Sequence, residues 1–311
     1  MKVSVTIITY NQEKFIRQTL DSVLMQEGDF EYEIVIGEDC STDNTRTILL
    51  DYQARHPSKI RLLLAEKNQG LVRNFIDTYR ACKGEYVATL DGDDYWTSPQ
   101  KLDKQVTFLD SHRDFAMCFH PVAMVFEDGS RPSRIFPENQ KETYDLKDIL
   151  QSNFIPTCSV MFRNNLFGSF PDWYQSFKFM EDWALYVLIA QHGKIGSMKE
   201  VMGVYRFHPM STWSSLNEIT RCREEIEFYD CMKQHLGNRF RDIINSMVDK
   251  RYYRLTLLHE DKHECDIAKT YIARSIFMNP FISHIKWTHK IKTILRLYFP
   301  SLSRFIKAHG F

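Results

Sequence analysis

Between Val3 and Thr9 every residue except Ser4 is β-branched. Such a run fits a strand buried on both faces and fits a helix poorly, because branched side chains lose χ1 freedom against a helical turn. Apolar residues then recur at helical spacing, at Phe15, Ile16, Leu20, Val23 and Leu24, so Glu13–Gln26 is predicted helical. The alternation repeats. Strands are predicted at Tyr32–Ile36, Ile60–Ala65 and Glu85–Leu90, with helices at Asn44–Arg55, ended near Pro57, and at Leu71–Cys82. This order predicts an α/β fold with a mostly parallel sheet covered by helices on both faces.

Beyond residue 98 the pattern loosens. A helix is predicted at Gln100–Ser111 and strands at Phe115–Phe119, Ala123–Phe126 and Cys158–Phe162. Glu127–Lys141 is polar and reads as a long loop. A helix over Glu181–Gln191 precedes strands near Ile195–Met198 and Val201–Phe207. From Glu218 onward the spacing is helical, with a break at Asn279–Pro280.

In an open parallel sheet, ligands bind beyond the carboxyl ends of the strands. Four predicted strand ends are polar: Thr9-Tyr10-Asn11; Glu38-Asp39-Cys40-Ser41-Thr42-Asp43; Lys67-Asn68-Gln69-Gly70; and Asp91-Gly92-Asp93-Asp94. Ser41, Thr42 and Asp43 also suit ordinary helix capping. The last run puts three carboxylates within four residues around a glycine. It is either a solvated turn or a site for a hard divalent cation bridging phosphates. Glu181-Asp182 opens a predicted helix, where the dipole favours carboxylates. Beside Phe179 and Trp183, burial could also raise one of them into a general-base range. Neither G-x-x-x-x-G-K-[ST] nor G-x-G-x-x-G occurs, which argues against a P-loop NTPase and a Rossmann dehydrogenase.

Taken in order, Val3-Ser-Val-Thr-Ile-Ile-Thr-Tyr-Asn11, Glu38-Asp-Cys-Ser-Thr-Asp43, Asp91-Gly-Asp-Asp94 and Glu181-Asp182 resemble a family 2 glycosyltransferase of GT-A fold, over roughly residues 1–215. The resemblance implies a nucleotide-sugar donor, usually a uridine diphosphate sugar, a Mn or Mg ion, and inversion at the anomeric carbon. It implies that Thr9 and Tyr10 line the base pocket, with Asn11 and Asn68 on the donor side, and that Asp39 hydrogen-bonds the base. Asp91 and Asp93 become a D-x-D motif holding ribose and metal, and Asp182 the catalytic base. Arg206-Phe-His-Pro-Met-Ser-Thr212 resembles a late element whose His208 reaches the metal, or else His208 is an ordinary loop histidine. Glu181, Trp183 and Arg206 fall on the acceptor or supporting side, as does Pro156–Arg163. Glu38 departs from the usual Asp-Asp pair, which bears on base preference.

The implied organisation is a glycosyltransferase domain over 1–215, with a nucleotide-sugar-binding half (1–98) and an acceptor or catalytic half (99–215), and a helical extension over 216–311. Two other classes compete. A nucleotidyltransferase would want a glycine-rich loop after the first strand, and Thr9-Tyr10-Asn11-Gln12 has none. A non-catalytic partner protein of the same fold is opposed by the joint presence of Asp39, Asp91, Asp93 and Asp182.

Composition adds limits. Forty basic residues balance forty acidic ones, so no nucleic-acid partner is expected. The balance is uneven, because eight basic residues and no acidic one lie beyond Asp266. Residues 282–309 mix six of those bases with aromatic and aliphatic residues, which suits either peripheral contact with an anionic membrane or packing on protein. Membrane contact would fit a lipid-linked acceptor. Seven cysteines without a framework suit a cytoplasmic protein. The first residues read as a strand rather than a signal peptide, and no apolar run is long enough to span a bilayer. His259 and His263, one helical turn apart, read as a solvated helix face rather than a structural metal site. Arg131 and Arg134 read as part of the polar loop.

Overall fold

The β-branched run forms β1 (Val3–Thr9), buried at all seven positions. It is followed by α1 (Ile16–Leu24), β2 (Tyr32–Glu38), α2 (Thr45–Arg55), β3 (Ile60–Leu64), α3 (Leu71–Arg80) and β4 (Tyr86–Asp91). β1 pairs in parallel with both β2 and β4, and β2 pairs in parallel with β3. Parallel strands joined through helices carry all their carboxyl ends to one edge. The first helix starts later than its apolar spacing predicts. The Gln12 carbonyl accepts the N–H groups of both Phe15 and Ile16, so residues 12–15 form a turn.

The structure, a computed structural model, describes residues 1–209, 211–278 and 285–301. The chain divides into two units, Met1–Ser215 and Leu216–Phe311. The first unit continues with β5 (Tyr95–Trp96), α4 (Lys101–Ser111), β6 (Phe115–Phe119), β7 (Val122–Phe126), β8 (Arg134–Phe136), β9 (Thr143–Tyr144) and α5 (Leu146–Gln151). Then come β10 (Met161–Arg163), α6 (Glu181–Ala190), β11 (Lys194–Ser197), β12 (Gly203–Phe207) and α7 (Thr212–Ser215). Among the described residues the strands make two sheets. One runs β3-β2-β1-β4-β10-β6-β11-β9, and the other β5-β12-β7-β8. β10 is antiparallel to both β4 and β6, and so interrupts the parallel order.

Two expectations need correction. The predicted loop 127–141 contains β8, which pairs antiparallel with β7. It is a short edge strand between Pro132 and Pro137, where Arg and Pro are tolerated because one side needs no ladder. The predicted strand Cys158–Phe162 is instead a 3-10 turn over Thr157–Ser159, followed by β10. The Cys158 carbonyl accepts from Trp96 Nε1 at 2.7 Å, and that of Thr157 from Thr89 Oγ1 at 2.7 Å, so neither is free for a ladder.

α6 is buried from Trp183 to Ala190, which its all-round apolar sequence requires. Under the first sheet lies an unusual core residue. Lys101 is fully buried, its Nζ has no hydrogen-bond partner among the described residues, and it sits 3.8 Å from the centre of the Trp96 ring. Burial pushes its amine down to about 7 from an ordinary 10.5.

The second unit holds α8 (Glu218–Leu236), α9 (Arg241–Asp261), α10 (Cys265–Met278) and α11 (Trp287–Tyr298). Lys290 on α11 is fully buried and meets Asp249 on α9 at 2.6 Å, and Ser275 of α10 donates to the same oxygen at 2.5 Å. Part of the basic stretch is thus turned inward. Of that stretch, 282–284 and 302–309 lie outside the described residues, as does the expected break at Asn279–Pro280. His259 does not face solvent. It is buried, paired with Glu264 and stacked on Tyr271, because α10 covers that face of α9. Among the described residues no helix is long and apolar enough to cross a membrane.

Lys101 carries a testable pH signature. Its folded pKa lies below its unfolded one, so the unfolded chain binds the proton more tightly. The destabilisation is complete below about pH 7 and fades as pH rises toward 10.5. Lys101→Met should therefore stabilise the protein in urea titrations, with a larger gain near about pH 6 than near about pH 9. An equal gain at both pH values would show that the buried charge is not the cause.

Candidate active site

The carboxyl ends of β1, β2 and β4 bring Thr9, Asp39 and Asp91 to one edge, as the parallel pairing requires. Tyr10 follows β1 and is exposed. Asn11 adopts a left-handed backbone (φ 54°) and Cys40 does the same (φ 60°). Asn tolerates this region better than Cys does. Asn11 ties the two strand ends together: its N–H donates to Ser41 Oγ at 3.0 Å, and its Oδ1 accepts the Thr42 N–H at 2.8 Å.

Asp39 is buried and already occupied on both oxygens. It accepts the N–H of Gln69 at 2.7 Å and of Gly70 at 2.9 Å, fastening the loop that leads into α3. Asn68 is exposed in that loop and accepts the Gly70 N–H at 3.1 Å. Glu38, where the family pattern has Asp, is fully buried. It pairs with Arg46 and accepts the Ser41 N–H at 2.6 Å. The longer side chain is thus used inside the fold.

The acidic turn after β4 passes tightly against β1. A Cβ on Gly92 would come within 2.2 Å of Gln12 Oε1 and 2.9 Å of Thr9 Cβ, so only glycine fits. The three carboxylates of the turn have different surroundings. Asp94 is buried and accepts the Arg206 N–H at 2.8 Å. Burial, and then Asp93 and Asp91, push its carboxyl well above the usual range. Asp93 meets His208 Nε2 at 2.9 Å, and the His208 ring lies 4.6 Å from that of Phe15. Asp91 lines a narrow cavity with Thr6, Thr89, Thr157, Glu181, Asp182 and Tyr186.

Asp182, in the first turn of α6, reaches that cavity from the opposite side. Its Oδ1 accepts the Trp183 N–H at 2.5 Å, and its Oδ2 accepts from Asn153 at 3.1 Å and Thr157 at 3.3 Å. Burial raises its pKa, while those three donors oppose the rise. Glu181 is raised well above its ordinary value by burial and by Asp182 and Asp91. Asp91 is pushed up to about 8 by burial first, then by Asp93 and Asp182. Carboxylates from β4 and α6 therefore share one electrostatic field, although about 90 residues separate them in sequence.

Trp183 does not face this cavity. It is buried, and its Nε1 donates to the Ile149 carbonyl of α5 at 2.7 Å. The apolar wall comes instead from Ile8, Phe75, Leu185 and Tyr186, because the first residue after the acidic pair points along the helix into the core.

Arg206 on β12 is also turned inward and acts as a clasp. Its guanidinium donates to the Asp93 carbonyl, to Gln18, and to Glu127 at 2.9 Å, and it lies 4.4 Å from the Tyr95 ring centre and 5.1 Å from that of Phe15. Thr9 Oγ1, Gln12 Oε1 and Glu181 Oε2 are buried without a partner among the described residues. Gln12 and Asn153 had no local sequence signal as site residues, whereas Thr157 lies in the Pro156–Arg163 segment that the resemblance put on the acceptor side.

Among the described residues no three His, Cys, Asp or Glu side chains stand ready-made around a cation position. The donors nonetheless suit one. Asp91, Asp93 and His208 combine hard oxygens with an imidazole, and the mutual repulsion of the acidic groups is what a divalent cation offsets. Arg206→Met should loosen the acidic turn and cost about 2–3 kcal/mol of stability in denaturant titration, the scale of losing hydrogen bonds to a charged group. An unchanged midpoint would remove the clasp.

Comparison with known proteins identifies the family and the fold. The model of Glycosyl transferase family 2 matches residues 4–167. An uncharacterized protein of Mycobacterium tuberculosis is 40% identical over 213 residues, 68% of this chain and 61% of that protein, so the match spans under two thirds of the relative's length. Residues 1–349 of Staphylococcus aureus TarS in complex with UDP-GlcNAc superpose with a TM-score of 0.58 at 21% identity, covering 96% of this chain and 82% of that one. A mannosyltransferase of Pyrobaculum calidifontis in complex with GDP-Man and Mn2+ gives 0.57 at 16% identity, covering 97% and 83%. The likeness to these structures shows the GT-A fold.

Proposed function

The chain belongs to glycosyl transferase family 2, and from that premise we propose that it moves a sugar from a uridine diphosphate sugar to a hydroxyl of a saccharide or lipid-linked acceptor, with inversion, in cell-surface polysaccharide assembly. The observation that carries this reading is the convergence of Asp91 and Asp182 on one cavity from opposite elements. The UDP-GlcNAc complex of TarS supports a uridine donor, and the Mn2+ of the mannosyltransferase complex supports a divalent cation.

In this reading Thr9 and Tyr10 flank the base, and Asn11, Asn68 and Asp39 shape its pocket. Asp39 keeps spare lone pairs for a base N–H beyond the two backbone amides that it already binds. Asp91 faces ribose and diphosphate. Asp91, Asp93 and His208 would hold a Mn or Mg ion, which supplies charge neutralisation of the leaving diphosphate. Arg206 is a positioning residue that holds the Asp93 backbone from behind.

Asp182 is the base. Asn153, Thr157 and the Trp183 N–H fix its carboxylate, and burial raises its proton affinity. It takes the proton of the acceptor hydroxyl as that oxygen bonds to the anomeric carbon. The bond to the diphosphate breaks on the opposite face. Beside it, burial and then Asp182 and Asp91 raise the Glu181 carboxyl well above its usual range.

Thermal shift against a nucleotide panel with and without Mn or Mg tests the donor site. Uridine diphosphate at about a hundred times its Kd should stabilise by about 2.7 kcal/mol. Asp182→Asn should retain that shift while transfer falls by about 10²–10⁴-fold, the contribution of a general base. Full transfer in this variant would refute the base. Asp93→Ala should abolish the cation-dependent part of the shift, and an unchanged cation effect would refute its role.

A further inference from the structure

We propose that α11 docks the protein on an anionic phospholipid surface. The helix has one face turned into its own unit, with Lys290, Thr293 and Leu297 buried at i, i+3 and i+7. Leu297 packs with Ala268 and Ile272. A neighbouring face is apolar yet exposed. Trp287, Ile291 and Tyr298 recur at i, i+4 and i+11, and Phe299, 57% exposed, follows directly. Half-buried Leu295 borders them. A soluble helix of ordinary design would place polar residues there.

Charge identifies the occupant. Lys286 and Lys292 are exposed and make no ion pair among the described residues, and Lys269 Nζ lies 5.6 Å from the Tyr298 ring centre. Of the acidic groups near α11, Asp249 is bound to Lys290 and Glu260 to Arg296 at 2.7 Å, and Asp261 lies within electrostatic reach of Arg296. After Asp266 the sequence contains no Asp or Glu. Trp, Tyr and Ile on one face with unpaired lysines beside them are the composition of a helix lying in a bilayer interface, where the lysines meet lipid phosphates. Protein-interface cores are instead depleted in Lys.

The test is co-sedimentation of the full chain with phosphatidylcholine vesicles, with and without phosphatidylglycerol. Binding is expected only to the anionic vesicles, weakening as salt rises. Lys286→Gln and Lys292→Gln should each weaken it about fivefold. Ile291→Ser, at an exposed site that leaves the fold intact by circular dichroism, should weaken it by a similar factor. Absence of binding to anionic vesicles, equal binding to neutral ones, or indifference to all three substitutions would overturn the proposal. So would a concentration-dependent self-association that Ile291→Ser abolishes while vesicle binding is absent, since the face would then belong to a second copy of the chain.

Discussion

Repulsion among half-buried and buried carboxylates is the constraint around which the first unit is arranged. Asp91, Asp93 and Asp94 stand within one turn, and Glu181 and Asp182 are brought against them from α6. Within the turn the Asp94 N–H donates to the Asp91 carbonyl at 3.1 Å, a backbone bond that leaves the carboxylates uncompensated. Further holding comes from outside. Arg206 grips the backbone at Asp93 and the side chain of Asp94, His208 meets Asp93, and Asn153 and Thr157 fix Asp182. The second sheet has a clear purpose in this light, because it is β12 that carries Arg206 to the turn.

The arrangement separates two tasks that the same residue types could have shared. Glu38 and Asp39 lie side by side at the end of β2, yet Glu38 is spent on Arg46 and Ser41, while Asp39 fastens the loop before α3. Neither contributes to the field around Asp91. Asp91 is raised by burial and by neighbouring carboxylates, and Asp182 by burial that neutral donors oppose, whereas Glu38 and Asp39 are bound by a guanidinium and by backbone amides. A similar division runs through the basic tail, where Lys290 is buried on Asp249 and Lys286 and Lys292 are left outward.

Much of the fold was legible in the sequence, because the first half obeys local rules. β-branched runs and helical spacing mark β1 to β4 with ends correct to a few residues, and parallel pairing then follows from the helices between them. The second half follows those rules less. β8 and β9 exist because a neighbouring strand offers a ladder, and the 157–159 turn exists because side chains at Trp96 and Thr89 claim its carbonyls. No window of sequence contains those partners. Trp183 shows the same limit: adjacency to Asp182 in sequence pointed to the site, and helix geometry turned it to Ile149 instead.

By itself the sequence determined the class of the sheet, the polar character of its carboxyl edge, and the residue types, three carboxylate motifs and a late histidine, that the family resemblance carries. These are properties of short segments, set by backbone preference and by which residues follow a strand. Only the tertiary structure decided which carboxylates face one another, that the Arg206 guanidinium is bound to the Asp93 carbonyl, Gln18 and Glu127, and which lysines of the tail point outward. Those outcomes depend on contacts between residues as far apart as Asp93 and Arg206, and electrostatic repulsion, burial and hydrogen-bond satisfaction act through space and not along the chain.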